Sequence, residues 1–448
     1  MGLPHRNKEC FKIPETMNRV VLRNARLFDS RKGVLRPGAT VVIEGERIVH
    51  VTYEALRVDE ARRYDLGGRV LLPGLIDAHV HVTAVHHDLL RLALQPPSLI
   101  TAQSKDVLES MLLRGFTSVR DACGADFGLQ EAVERGLFAG PRLFIAGWPI
   151  TQTGGHGDVR PKGARTMICT CAGLGLYGAV ADGVGEVRRA AREQLRNGAN
   201  HVKVMAGGGV MSPSDPIEGT QYSEEELRAI CEEADAANTY VMAHAYSPRS
   251  ITRAVEAGVR SIEHGNLLDE ATARAMKRCG AYLVPTLATY AAIGEGAEGL
   301  ALAAPLRKKL DVVRHLGVEA IRIAKAAGVP IAFGTDLLGQ MHLRQSTEFA
   351  LRLPAMSPVE ILQSATSVAA EMMNQAGRIG VLAKGAWADL LVVEGDPTRD
   401  LAPLAAPETG IALLMKGGRV YKDTLTSAAS PPRPARRGSR RQAGSRRR

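Results

Sequence analysis

Eight short apolar runs, separated by amphipathic segments, recur between residues 70 and 336, and no other feature narrows the fold as much. The runs are VLLPGLIDAHVH (70–81), FTSVRDA (116–122), RLFIAG (142–147), HVKVMA (201–206), TYVMAHAY (239–246), RSIEHG (260–265), AYLVPTL (281–287) and PIAFGTD (330–336). Segments between them, such as EVRRAAREQLRNGAN (186–200) and SEEELRAICEEADAAN (223–238), carry acids early, bases or Asn late, and apolar residues three or four apart. That spacing is helical. Strands alternating with helices indicate parallel α/β architecture, and eight repeats predict a closed (β/α)8 TIM-like barrel over residues 70–383. Residues 19–69 and 384–424 read differently: RVVLRNARLFD, ATVVIEGERIVHV, ADLLVVEGD and IALLMKGGRVYKD alternate like antiparallel strands around turns. They are expected to pair into a small β-sandwich domain built from both chain ends. No repeat of fixed period is evident, which argues against a solenoid or propeller.

Charge and composition exclude some functions. The 448-residue chain has a formal net charge of +10, but eight of those charges are arginines in PPRPARRGSRRQAGSRRR, the acid-free last 18 residues, so the rest is near +2. A body with so little excess charge is not a nucleic-acid binder. The tail 425–448, without an apolar anchor, is expected to be disordered, and residues 1–18 form an N-terminal lead. Of six cysteines only Cys169 and Cys171 lie close together, as CTC, which favours a reduced chain over a disulfide framework. No N-terminal run resembles a signal-peptide core, and uncharged stretches such as 280–294 are too short to span a bilayer. The expected location is cytoplasmic, with no membrane partner.

In such barrels chemistry comes from the C-terminal ends of strands. Five of the eight runs carry chemically capable residues there: His79 and His81, which a strand's period of two points to one side; Lys203; His244; His264; and Asp336. Lys203 sits in HVKVMAGGGV among apolar neighbours, where an ammonium must be paired or lose its charge. Each residue alone has a structural explanation. Together, four imidazoles, a carboxylate and a lysine at one barrel mouth make the donor set of a hydrolytic metal site. His201 faces the same side one layer deeper and is expected to be a core residue. No GK[ST] follows AGGGV, so the glycines are not a phosphate loop; they allow backbone and substrate to approach closely.

PGLIDAHVHV, HVKVMAGGG, MAHAY, IEHG and FGTD, in that order, resemble the amidohydrolase superfamily over roughly residues 19–423. TGGHGD (153–158) and VKVMAGGGVMSPSDP (202–216) are similar to its branch of prolidase-like and Xaa-Arg-type dipeptidases, relatives of imidazolonepropionase and of ochratoxin-hydrolysing amidases. The resemblance implies two divalent metal ions, expected to be zinc. His79, His81 and Asp336 would hold the first, His244 and His264 the second, and Lys203, carboxylated to N6-carboxylysine, would bridge them. Asp336 would also be catalytic, accepting a proton from water and delivering it to the departing amine, and His156 and Tyr246 would bind the substrate's terminal carboxylate. The implied reaction is cleavage of dipeptides or N-acyl amino acids by a homo-oligomer. Arg160, Lys162 and Arg165, set against Asp158 and Asp182 in the loop 148–185, argue against a basic C-terminal residue and favour proline or an apolar one. The alternative is a one-metal cyclic-amide hydrolase or deaminase resembling imidazolonepropionase, which does not need Lys203.

Overall fold

The computed structural model describes residues 19–160, 163, 175–212, 215–296 and 304–425. The N-terminal lead, residues 426–448 of the tail, Lys162, Arg165, Cys169 and Cys171 lie outside the described residues.

Both chain ends contribute to one eight-stranded sheet. Its strands are β1 (Arg19–Asp29), β2 (Val34–Glu44), β3 (Arg47–Thr52), β4 (Arg62–Asp65) and β5 (Val70–Pro73), then β15 (Leu390–Val393), β16 (Ile411–Lys416) and β17 (Arg419–Asp423). The order is β17-β16-β15-β5-β1-β2-β3, with β4 paired to β1. The expected sandwich of two sheets is therefore a single sheet that curls. Residues 385–388 reach the free edge of β3, where Ile48 N–H donates to Ala386 O at 3.0 Å and Gly385 N–H to Ile48 O at 2.8 Å. Curling encloses Leu22, Ile43, Ile48, Leu71, Leu390 and Leu413, so one sheet supplies both walls of its own core.

The run 70–81, expected as one strand, divides at Gly74. Before it, β5 pairs with β1 and antiparallel with β15; after it, β6 (Leu75–Val80) pairs parallel with β7 (Phe116–Asp121). Space, not backbone conformation, demands glycine here: a Cβ would lie 1.9 Å from Thr117 Oγ1. Gly74→Ala is expected to lower the unfolding free energy by about 1–3 kcal/mol, as overpacked core positions do, which a urea titration would measure.

The central strands form two open parallel arcs, not the closed eight-stranded ring expected. One joins β6, β7 and β8 (Arg142–Ile145). The other, in the order β10-β9-β11-β12-β13-β14, joins β9 (Ile150–Thr151), β10 (Ala179–Val180), β11 (Val202–Met205), β12 (Val241–Ala245), β13 (Ser261–His264) and β14 (Tyr282–Val284). The eighth run, 330–336, makes a single bridge, Leu283 to Ile331. It nevertheless hydrogen-bonds on both sides, Ala332 N–H to Leu283 O at 2.9 Å and Ala78 N–H to Phe333 O at 2.7 Å. Gly334 packs against Val284 and His79, with a hypothetical Cβ 2.6 Å from Val284 Cγ1 and 2.9 Å from His79 Cβ, and Asp336, at φ 56°, donates its N–H to His79 O at 2.9 Å. Helices pack outside the arcs, among them Val184–Arg196 and Glu224–Ala236, the latter started by a Ser223–Glu226 capping box. The main core lies between the layers, with Val119, Val204 and Ile262 from strands meeting Leu112, Ala191 and Ile230 from helices. Among the described residues no helix is long and apolar enough to cross a membrane.

Candidate metal and substrate site

One pocket at the C-terminal ends of the strands is lined by His79, His81, Lys203, His244, His264 and Asp336, together with His156 and Tyr246. The fold thus brings to one place the eight residues that the sequence nominated as metal ligands or carboxylate contacts. The tightest group is His79, His81 and Asp336, whose donor atoms lie within 4.8 Å of one another. Asp336 Oδ1 is 3.0 Å from His81 Nε2 and 3.5 Å from His79 Nε2. His264 Nδ1 lies 3.8 Å from Asp336 Oδ2, and the His264 ring is centred 5.0 Å from that of His79 and 4.7 Å from that of His244. Lys203 is 1% exposed and has no hydrogen-bond or ion-pair partner among the described residues. His264 (φ 73°) and Asp336 (φ 56°) both occupy the left-handed region, an uncommon conformation for such residues that persists where surroundings enforce it.

Each imidazole is anchored through one nitrogen, while the other nitrogens of His79 and His81 face Asp336. His79 Nδ1 is 2.7 Å from Glu263 Oε2, His81 Nδ1 3.1 Å from Cys123 O, His264 Nδ1 2.8 Å from Thr286 Oγ1, and His244 Nε2 3.0 Å from Gly208 O. Such partners fix the ring orientation and tautomer of metal-binding histidines. Glu263 is in turn held by Arg120 Nη2 at 2.8 Å and Ser261 Oγ at 2.6 Å, while Arg120 Nε donates to Ala78 O at 2.6 Å. Reading the sequence passed over Glu263 and Arg120. The available signal was a charge of each sign inside an otherwise apolar strand, SIEH and FTSVRD, which burial obliges to find a partner.

Burial holds His79 and His244 well below the ordinary imidazole pKa and brings His264 to about 4. Burial thus favours the neutral form of these three rings, the form that binds metal; at His81 burial acts in the same direction, but Cys123 and the Asp336 carboxylate outweigh it and raise the ring well above its ordinary value. Burial alone would raise the Asp336 carboxyl, but His79, His81 and His264 around it outweigh burial and hold it low. Burial also lowers the Lys203 ammonium. Imidazoles, an ionised carboxylate and a buried amine form an N/O donor set that suits divalent ions of the zinc and manganese type.

On the substrate side, the His156 ring stacks on His244 at 4.2 Å and 15°. The glycines of AGGGV make this possible: a Cβ on Gly209 would lie 1.8 Å from His156 Cε1, and one on Gly208 would lie 1.8 Å from Pro216 O. Tyr246 stacks on His264 at 5.2 Å, and its hydroxyl is 2.6 Å from that of Tyr290. Burial raises both phenols above their ordinary pKa, so they remain donors. Val159, Leu176, Val210, Met211, Ile293 and Leu338 supply apolar wall, and Asp336 is the sole carboxylate among the described lining residues. Arg160, read from the sequence as a loop charge, is neutralised locally by Asp158 at 2.7 Å and does not line the pocket. His201 is fully buried beneath the site and stacks on Tyr240 at 5.6 Å; neither ring nitrogen has a hydrogen-bond partner among the described residues.

Comparison with known proteins supplies an independent view. Residues 70–421 match the amidohydrolase family. The ochratoxinase of Aspergillus niger is 33% identical over 418 residues, covering 90% of this chain and 83% of that protein. An imidazolonepropionase of Cereibacter sphaeroides is 26% identical over 434 residues, covering 89% and 99%. Among solved structures, a prolidase complexed with N-methylphosphonate-L-proline superposes with a TM-score of 0.88 at 47% identity, covering 90% of this chain and all of that one.

Proposed function

The chain belongs to the amidohydrolase family and is a hydrolase of carbon–nitrogen bonds, and on that premise we propose that it is a two-metal enzyme cleaving the amide bond of dipeptides or N-acyl amino acids with a free C-terminal carboxylate. The observation that carries this reading is the convergence of four imidazoles, Asp336 and Lys203 on one pocket. His79, His81 and Asp336 would hold one divalent ion and His244 and His264 a second. Lys203, its amine nitrogen bonded to the carbon of carbon dioxide with loss of a proton, would bridge them as an anion. In that reading residues 330–336 are the eighth stave of a barrel, a role supported by their hydrogen bonds on both flanks. When bound, the ions supply Lewis acidity and a water acidified to near neutrality.

The chain's own residues do the rest. Asp336, kept ionised by the imidazoles, takes the proton of the attacking water and passes it to the nitrogen of the departing amine. His156 and the Tyr246–Tyr290 hydroxyl pair donate hydrogen bonds to the substrate's carboxylate. The apolar wall, with no carboxylate besides Asp336 among the described lining residues to pair with a basic side chain, favours proline or an apolar residue at the C-terminus. The similarity to the prolidase supports the same preference.

A second reading has a specific observation behind it. The compact donor group comprises three residues, enough for one ion, and a one-metal cyclic-amide hydrolase or deaminase is the corresponding alternative. Metal analysis of protein saturated with zinc and freed of excess separates them: about two ions per chain are expected, and one would favour the alternative. Stripping the metal with a chelator is expected to abolish turnover, and restoring the ions to return it. A screen of Xaa-Pro, Xaa-Arg, Xaa-apolar and N-acyl amino acids on the metal-replete protein should show turnover of the proline or apolar members; turnover of none would remove the dipeptidase assignment.

A further inference from the structure

The loop that follows β11 packs its glycines against His156 and is fixed in part by its own Asp215 and Gln221. A further anchor comes from outside the loop. Lys309, on the helix Ala304–Ala326, donates its ammonium to Gly209 O at 3.1 Å, to Ser212 O at 2.7 Å and to Asp215 O. All three N–H donors of the lysine find carbonyls on one loop. Asp215 carries the constraint inward: its Oδ2 accepts from Gly209 N–H at 2.9 Å and from Gln221 Nε2 at 3.3 Å, and lies 3.4 Å from His156 Nδ1. Gln221 Oε1 takes the backbone N–H of His156 at 3.0 Å. Asp215 is 6% exposed, whereas Lys309 lies outside the pocket lining.

Resting on the reading of His156 as a carboxylate ligand, we propose that Lys309 and Asp215 form a clamp that positions the His156 ring and thereby sets the enzyme's preference for substrates with a free carboxylate. His156 Nδ1 faces Asp215 at 3.4 Å without hydrogen-bond geometry, and with the ring stacked on His244 the Nε2 atom is the nitrogen left for the substrate. The Lys309 bonds prevent the glycine loop from drawing Asp215 away. Both are positioning residues: neither touches the reacting atoms.

The test uses full-length, metal-replete enzyme and two substrates, the best acid from the screen above and its C-terminal carboxamide. Lys309→Met and Asp215→Asn are expected to raise KM for the acid with little change in kcat, by about 10- to 100-fold, the scale on which misplaced groups cost efficiency. Both should bring the acid-over-carboxamide ratio of kcat/KM towards that of His156→Ala, and Lys309→Arg, which still donates to the carbonyls, should recover it. If folded Lys309→Met and Asp215→Asn keep the wild-type ratio while His156→Ala loses it, the clamp is wrong and the carboxylate reading stands. An equal loss on acid and carboxamide also overturns the clamp, since it marks general damage to the loop. If the wild type does not prefer the acid, or His156→Ala retains the preference, the carboxylate reading fails and takes the clamp with it.

Discussion

Lys203→Ala is expected to bind less metal and to lose at least about 10³-fold in kcat/KM, equivalent to about 4 kcal/mol of transition-state stabilisation. Added formate or acetate should restore part of both, because a small carboxylate can enter the space left by the side chain and stand where the bridging anion stood. Stability should move in the opposite direction. Lys203 is buried, without a hydrogen-bond or ion-pair partner among the described residues, in the pocket lined by His79, His81, His244, His264 and Asp336. Lys203→Met keeps its volume and removes the cost of burying a polar head, so metal-free protein carrying it should be more stable in urea by about 1 kcal/mol or more. A lysine kept for structure would give the reverse result, and a fully active Lys203→Ala would refute the bridging role.

The second large effect is expected at Arg120. This side chain is fully buried and makes hydrogen bonds to Glu263, Ser261 and Ala78. Arg120→Met leaves the Glu263 carboxylate buried without its counter-charge and should cost about 3–5 kcal/mol of stability, the range for a broken buried pair. The double variant Arg120→Met/Glu263→Met should regain most of that loss in urea, since an apolar pair replaces an ionic one. It should not regain metal affinity. Glu263 is also the partner of His79 Nδ1, and losing the group that orients a metal-binding histidine costs about 10- to 100-fold in affinity. A double variant restored in stability but weakened in metal binding would separate the two roles of Glu263; one that bound metal normally would remove its orienting role.

Much of the site was legible in the sequence because its members stand at strand ends. His79 and His81 share a side by the period of a strand, His244, His264 and Asp336 stand at or beside the ends of apolar runs, and Lys203 is a lone charge inside one. Less legible was how runs divide. VLLPGLIDAHVH reads as one strand, but Gly74 passes it from the curled outer sheet to the central one, a change visible only once Thr117 is packed against it. Likewise the alternation of both chain ends predicts antiparallel strands but does not say whether they stack as two sheets or curl as one. That depends on which free edge meets residues 385–388.

The sequence by itself determined the ingredients: parallel α/β architecture, the family, and the donor types gathered at one end of the strands. These follow from periodicity and residue chemistry, which are local. The tertiary structure decided the partners that give those donors their form. Glu263 is 184 residues from His79 and 143 from Arg120, and Lys309 is 94 residues from Asp215. No local period relates such positions. Only the packing of strand against strand, and of helix against loop, brings a buried charge to the group that must neutralise or orient it.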